Sequence, residues 1–145
     1  MKRLDGKVIL VVEVEPLVAL DVVKALRAAG ARVLCAGYLE SGLCSTEHPE
    51  LSGAVIDLHL GDGSGTVVCR RLRERGIPFV VHTGYPPMLV SREWPDAPVI
   101  SKPALPDQII SALIGALHRE GSTSKPSTPS PAPPSTRRRT KSRQP

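Results

Sequence analysis

Short β-branched runs alternate along the chain with segments whose apolar residues return every three to four positions, the periodicities of strand and helix. Val8–Val12 predicts a first strand. Pro16–Ala29 predicts a helix with Leu17, Leu20, Val23 and Leu26 on one stripe and Gly30 as its terminator. Arg32–Ala36 predicts a second strand, and Leu39–Glu47 a weak helix, poor in strong formers and closed by His48-Pro49. Gly53–Asp57 predicts a buried third strand. In Thr66–Arg75 a helical pattern turns Val67, Val68 and Leu72 inward and Arg70, Arg71, Arg73, Glu74 and Arg75 outward before Gly76. Phe79–His82 and Val99–Ser101 predict the fourth and fifth strands, and Pro106–Arg119 a last helix with Ile109, Ile110, Leu113 and Leu117 on its inner face.

Between Gly84 and Pro98, Pro86, Pro87, Pro95 and Pro98 leave only Met88–Trp94 for a fourth helix of about two turns at most. The alternative there is a covering loop with Trp94 packed over the sheet. Five strands alternating with helices predict an α/β fold. Its form is a flavodoxin-like (βα)5 doubly wound parallel sheet, order 2-1-3-4-5, with a short or missing fourth helix.

At 145 residues the chain has the size of one domain. After Glu120 the composition turns to Ser, Thr, Pro and basic residues without apolar periodicity. This predicts a folded domain over residues 1–119 and a disordered tail over residues 120–145. From Gly121 to Pro145 the tail carries six basic residues (Lys125, Arg137, Arg138, Arg139, Lys141, Arg143) and no acid, +6 against +5 for the whole chain, so the folded part is expected near −1. Such a run is a solvated extension, or a loose and salt-sensitive hold on acidic lipid, nucleic acid or an acidic partner. It has no aromatic residues for base stacking.

No apolar run approaches the roughly 18 residues of a membrane span, and Met1–Gly6 leads into the first strand without a signal-peptide apolar region. A cytoplasmic protein is expected. Cys35, Cys44 and Cys69 fit no metal or redox spacing and read as free thiols, Cys35 and Cys69 buried.

The candidate chemistry stands where the apolar runs end. Glu13-Val14-Glu15 follows the first, Asp57 closes the third, Thr83 follows the fourth, and Lys102-Pro103 follows the fifth. In a parallel sheet these ends share one edge, where open α/β folds place their binding crevice. Carboxylates, a hydroxyl and an ammonium at one edge suit a phosphoryl group on a carboxylate. Acids hold a divalent cation, Asp57 is the nucleophile, and Thr83 and Lys102 bind the phosphoryl oxygens. Plainer readings stand beside these: Thr83 as a turn residue before Gly84, Lys102 as a solvated lysine, Glu13 as a strand-end acid. For Asp57 the apolar run before it makes an idle acid costly. Gly61-Asp62-Gly63-Ser64-Gly65 matches no nucleotide-binding pattern, and Asp62 would repel phosphate, so it reads as a turn leading into a helix.

The order of these pieces resembles the receiver domain of bacterial two-component response regulators, over residues 5–119. That resemblance implies a phosphorylated Asp57 assisted by Thr83 and Lys102, with a cis Lys102-Pro103 bond aiming the ammonium back across the crevice. It implies Mg²⁺ held by Glu13, Asp57 and the backbone carbonyl of His59, and a phosphoacceptor protein rather than an enzyme. The segment Pro78-Phe79-Val80-Val81-His82-Thr83-Gly84-Tyr85 is similar to the Pro-Phe-x-Phe-Ala-Thr-Gly-Tyr signature of FAT GUY receivers, associated with HWE-type sensor kinases. One position departs. Val14 stands where most receivers carry the second aspartate of the acidic pair, the one that binds the cation directly. Mg²⁺ wants hard oxygen ligands, so its affinity should be weakened. Glu15 either reaches the metal or serves as a capping or first-turn acid of the following helix. Tyr85 either gates the site or packs into its loop.

Three functions follow. The first is a stand-alone receiver that takes a phosphoryl group from a sensor histidine kinase or phosphotransfer protein onto Asp57 in a phosphorelay and signals through a downstream protein partner. The second is a pseudo-receiver that binds its partner independently of phosphorylation because Val14 weakens the cation site. The third, a nucleic-acid-associated adaptor, works through the tail. No specific nucleic-acid recognition is expected, and no room is left for a DNA-binding or catalytic output domain.

Overall fold

The computed structural model describes residues 2–123. β1 (Val8–Val12) lies between β2 (Arg32–Ala36) and β3 (Leu51–Ile56); β3 pairs with β6 (Phe79–Thr83), and β6 with β7 (Val99–Ser101). Every pairing is parallel, in the order β2-β1-β3-β6-β7. This is the expected five-stranded order. A two-stranded antiparallel hairpin, β4 (His59–Leu60) and β5 (Gly63–Ser64), stands apart from the sheet. It occupies the glycine-rich stretch that reads as a plain turn.

Both faces of the sheet are covered, which explains strands that are apolar throughout rather than alternating. Ile9, Val11, Val55 and Val80 point to one side, where α1 (Pro16–Ala28) and α5 (Pro106–Thr123) bury Val22, Leu26, Ile109 and Leu113. Leu10, Val12, Ile56 and Val81 point to the other. There α2 (Leu39–Ser45), α3 (Thr66–Glu74) and α4 (Pro87–Glu93) contribute Leu39, Val68, Leu72 and Val90. Gly30 (φ +103°) and Gly76 (φ +69°) follow α1 and α3 in the left-handed region, as expected of helix terminators.

The inner stripe of α1 is not the one its leucines suggest. Ala19, Val22, Val23 and Leu26 are buried, while Leu17 is 77% and Leu20 51% exposed. At about 100° per residue Leu17 falls on the same side as Asp21 and Lys24. In a helix apolar nearly all round, those two charges mark the outer face better than the leucines mark the inner one. On α3 the third inward residue is Cys69 rather than Val67, and on α5 Ala116 is buried while Leu117 is only half-buried. Cys35 is exposed, because β2 is an edge strand, whereas Cys69 is buried as expected. α5 runs to Thr123, four residues beyond the expected end at Arg119. The disordered-tail expectation otherwise lies outside the described residues.

The weak helix α2 is held at both ends by groups from elsewhere. Asp62 in the hairpin accepts hydrogen bonds from the backbone N–H of Leu39 (2.7 Å) and Glu40 (3.4 Å), satisfying donors that a helix N-terminus leaves open. These bonds, the Leu39 one first, hold the Asp62 carboxyl below its ordinary pKa. Arg75 donates to the carbonyls of Thr46 (2.5 Å) and His48 (3.1 Å) at the other end, and Arg71 forks onto Glu47 at 2.6 and 2.8 Å. The fourth helix is present but only seven residues long. Trp94 closes it, packing edge-on to Phe79 with ring centroids 5.6 Å apart, and the Arg73 guanidinium lies 5.3 Å from the Trp94 ring centroid. Among the described residues no helix is long and apolar enough to cross a membrane.

Gly65 sets how closely the start of α3 approaches the end of β3: a Cβ there would collide with the Asp57 carbonyl oxygen and the Leu58 Cα. Gly61, in the same loop, faces open space. Urea unfolding should show Gly65→Ala losing about 1–3 kcal/mol, an overpacking cost. Gly61→Ala should stay within about 0.5 kcal/mol of wild type. Equal losses would show that this approach does not constrain the loop.

Candidate functional site

Four strand ends deliver the chemistry. Glu13 follows β1, Asp57 follows β3, Thr83 ends β6 and Lys102 follows β7, so the sheet order sets them side by side at one edge. Backbone bonds fix the turns: Asp57 N–H donates to the Val12 carbonyl at 2.8 Å, Glu13 N–H to Ala36 at 3.0 Å, and Lys102 N–H to Thr83 at 2.8 Å. Glu13 and Asp57 are 4% and 2% exposed, yet both are acids. Burial of this kind requires a partner charge.

That charge is Lys102. Its Nζ lies 2.8 Å from Glu13 Oε2, 3.3 Å from Asp57 Oδ2 and 3.4 Å from Glu15 Oε1. The Lys102-Pro103 peptide bond is cis, as expected. The other Asp57 oxygen, Oδ1, accepts a 3.1 Å hydrogen bond from His59 N–H, and Glu13 Oε2 accepts a second bond from Glu15 N–H at 3.1 Å. Burial pushes the Glu13 carboxyl above its ordinary pKa, opposed by the hydrogen bond from Lys102 and reinforced by the neighbouring Asp57. Burial also opposes the charge on Lys102, but its bond to Glu13 and the Asp57 charge outweigh that and raise its pKa.

Thr83 is fully buried, and its Oγ1 accepts a 3.1 Å hydrogen bond from Tyr85 N–H, a local turn at the strand end. The Tyr85 hydroxyl lies 3.2 Å from His59 Nδ1, with the rings edge to face. Tyr85 thus spans from the fourth-strand loop to the loop after Asp57 instead of packing into its own. Glu15 stands at the N-cap of α1 but makes no side-chain capping bond; its carboxylate turns to Lys102.

Val14 packs against the core on the α2–α4 side, opposite Glu13. Its place therefore offers hydrocarbon where an oxygen ligand is expected. Among the described residues no three His, Cys, Asp or Glu side chains gather as a metal cluster. The buried oxygens at this edge are those of the Glu13 and Asp57 carboxylates, and Lys102 already contacts both acids.

One residue at the site escaped the reading of the sequence. His82 sits on β6 one residue before Thr83, is 2% exposed, and its Nδ1 lies 3.7 Å from Glu13 Oε1. Neither ring nitrogen has a hydrogen-bond partner among the described residues. Burial, then the positive charge of Lys102, lowers its pKa. The available signal was a histidine directly after the apolar run Phe79–Val81, where the FAT GUY signature has alanine.

No protein-family model and no curated protein matches the chain. Solved structures do. A CheY-like response regulator receiver domain protein from Methanospirillum hungatei JF-1 superposes with a TM-score of 0.73 at 23% identity, covering 81% of this chain and 98% of its own. The response regulator PhyR from Brucella abortus gives 0.71 at 27% identity, over 81% of this chain and 50% of its own. The receiver domain of a sensor histidine kinase from Pseudomonas aeruginosa PAO1, solved with magnesium coordinated in its active site cleft, gives 0.67 at 22%, over 78% and 98%. The fold is that of the CheY-like receivers. On this receiver fold, the sheet edge that carries Glu13, Asp57, Thr83 and Lys102 is the crevice of an open α/β sheet.

The raised pKa of Glu13 carries a sign. A carboxyl whose folded pKa lies above its unfolded value stabilises the fold fully below the unfolded value, near 4.5, and loses that contribution as pH rises through the folded one. The stability of the wild type relative to Glu13→Gln should therefore fall as pH is raised from 4 toward neutrality. Paired urea titrations across that range check it, and a rising or flat difference would contradict the placement of this acid.

Proposed function

We propose that this receiver fold accepts a phosphoryl group on Asp57 and passes the signal on through protein contacts. The carrying observation is a buried Asp57 whose Oδ2 meets the Lys102 ammonium while Oδ1 is fixed by His59 N–H. The donor is a phosphohistidine on a sensor histidine kinase, of the HWE type if the FAT GUY signature holds, or on a phosphotransfer protein. A carboxylate oxygen of Asp57 attacks phosphorus, the P–N bond breaks, and its electron pair leaves with the donor imidazole. Lys102 neutralises charge on the phosphoryl oxygens, and the Thr83 hydroxyl turns from Tyr85 N–H to one of them. That turn releases the loop at Tyr85 and α4, a two-state element for a partner to read. Mg²⁺, held by Asp57, Glu13 and the His59 carbonyl, would supply further charge neutralisation. This role belongs to residues 1–119 and to the cytoplasmic side, where kinases and phosphotransfer proteins act.

Val14 favours a second reading, in which the cation binds so weakly that Asp57 is rarely modified and partner binding is constitutive. Intact mass after incubation with a small phosphodonor and Mg²⁺ separates the two. A gain of one phosphoryl group, absent in Asp57→Ala, supports transfer; no gain even at high Mg²⁺ supports the constitutive module. Restoring the acid with Val14→Asp should tighten Mg²⁺ binding by about tenfold or more, ~1.4 kcal/mol. Unchanged binding in a calorimetric titration would refute the ligand assignment.

A further inference from the structure

The His82 imidazole is 2% exposed, yet neither of its nitrogens makes a hydrogen bond among the described residues. A buried group of that kind calls for a partner. It lines a cavity of about 250 Å³ between α1 and the loop after β7, where Val18 and Val22 on one side and Pro103 and Ala104 on the other give hydrocarbon walls. Asp21 lines the same cavity. It is exposed, and its carboxylate takes no ion pair among the described residues. The Lys102 ammonium also borders the cavity, but Glu13, Asp57 and Glu15 already surround it, so the acids outweigh its charge and Asp21 adds to the excess.

We propose that this cavity takes an arginine side chain, supplied by the run Arg137-Arg138-Arg139 of the same chain. At about 250 Å³ it lies below the roughly 300–1,000 Å³ of sites for drug-sized ligands, so one side chain suits it better than a nucleotide or a ring cofactor. A neutral imidazole offers one acceptor nitrogen. A guanidinium carries its donors in a planar fork and keeps its charge, so it can donate to that nitrogen and to the Asp21 carboxylate while its stem lies along the hydrocarbon walls. The chain is long enough to deliver it. α5 begins at Pro106, on the lining, and its 18 residues carry the backbone about 27 Å away at about 1.5 Å each. The stretch from Thr123 to Arg137 spans up to about 46 Å when extended at ~3.3 Å per residue, which covers the return. From Gly121 onward the chain has six basic residues and no acid, the complement of an acidic mouth. The site stands whether or not Asp57 accepts phosphate.

The test uses the full chain with isotope-labelled histidine, followed by NMR. The triple variant Arg137→Gln, Arg138→Gln, Arg139→Gln should shift the His82 ring resonances and leave in place those of His59, which does not line the cavity. Arginine amide added to that variant should restore the wild-type position. Asp21→Asn should weaken the added arginine amide by about two- to fivefold, the size of an exposed charge pair. Ala104→Leu, which fills the cavity from its loop wall, should abolish its binding; Asp21 is exposed, so its variant keeps the question open if the filled one fails to fold. Tenfold dilution of wild type should change nothing, because an occupant on the same chain keeps a fixed effective concentration. A His82 ring unmoved by the triple substitution, or moved by dilution, overturns the in-chain source, and a ring that arginine amide leaves unmoved overturns the site. Phosphoryl transfer to Asp57, measured separately, bears on neither outcome.

Discussion

One ammonium holds the edge of this sheet together. Two carboxylates, Glu13 and Asp57, leave water at the ends of neighbouring strands, and such a pair repels itself and pays for desolvation unless a cation stands between them. Lys102 is that cation, and its reach is set by the strand order. It comes from β7, the outermost strand, and must pass β6 to meet Asp57 beyond β3 and Glu13 beyond β1. A long, flexible stem suits that span, and the backbone bond from Lys102 N–H to the Thr83 carbonyl anchors its root. Shift β6 or β7 by one position and the ammonium would leave the acids.

The polar residues that matter were legible because each follows an apolar strand, and strand ends are where a parallel sheet collects its chemistry. The core face of α1 was not. Its apolar composition admits more than one stripe, and only contact with Ile9 and Val11 chooses Val22, Val23 and Leu26 over Leu17 and Leu20. Cys35 misled for a similar reason: its strand is apolar enough to be central but lies at the edge. The hairpin at His59–Ser64 was hidden by length, since two-residue strands leave no periodicity. Its Asp62 holds the start of α2 across 23 positions of sequence, a link that no local pattern encodes.

His82 was missed because a histidine at the end of an apolar run carries no site reading by itself; it meets Glu13, a residue 69 positions earlier, only once their strands are set in one sheet. Val14 packs against the core, so its place at the edge carries hydrocarbon, and Glu15, at the start of a helix, turns its carboxylate to Lys102.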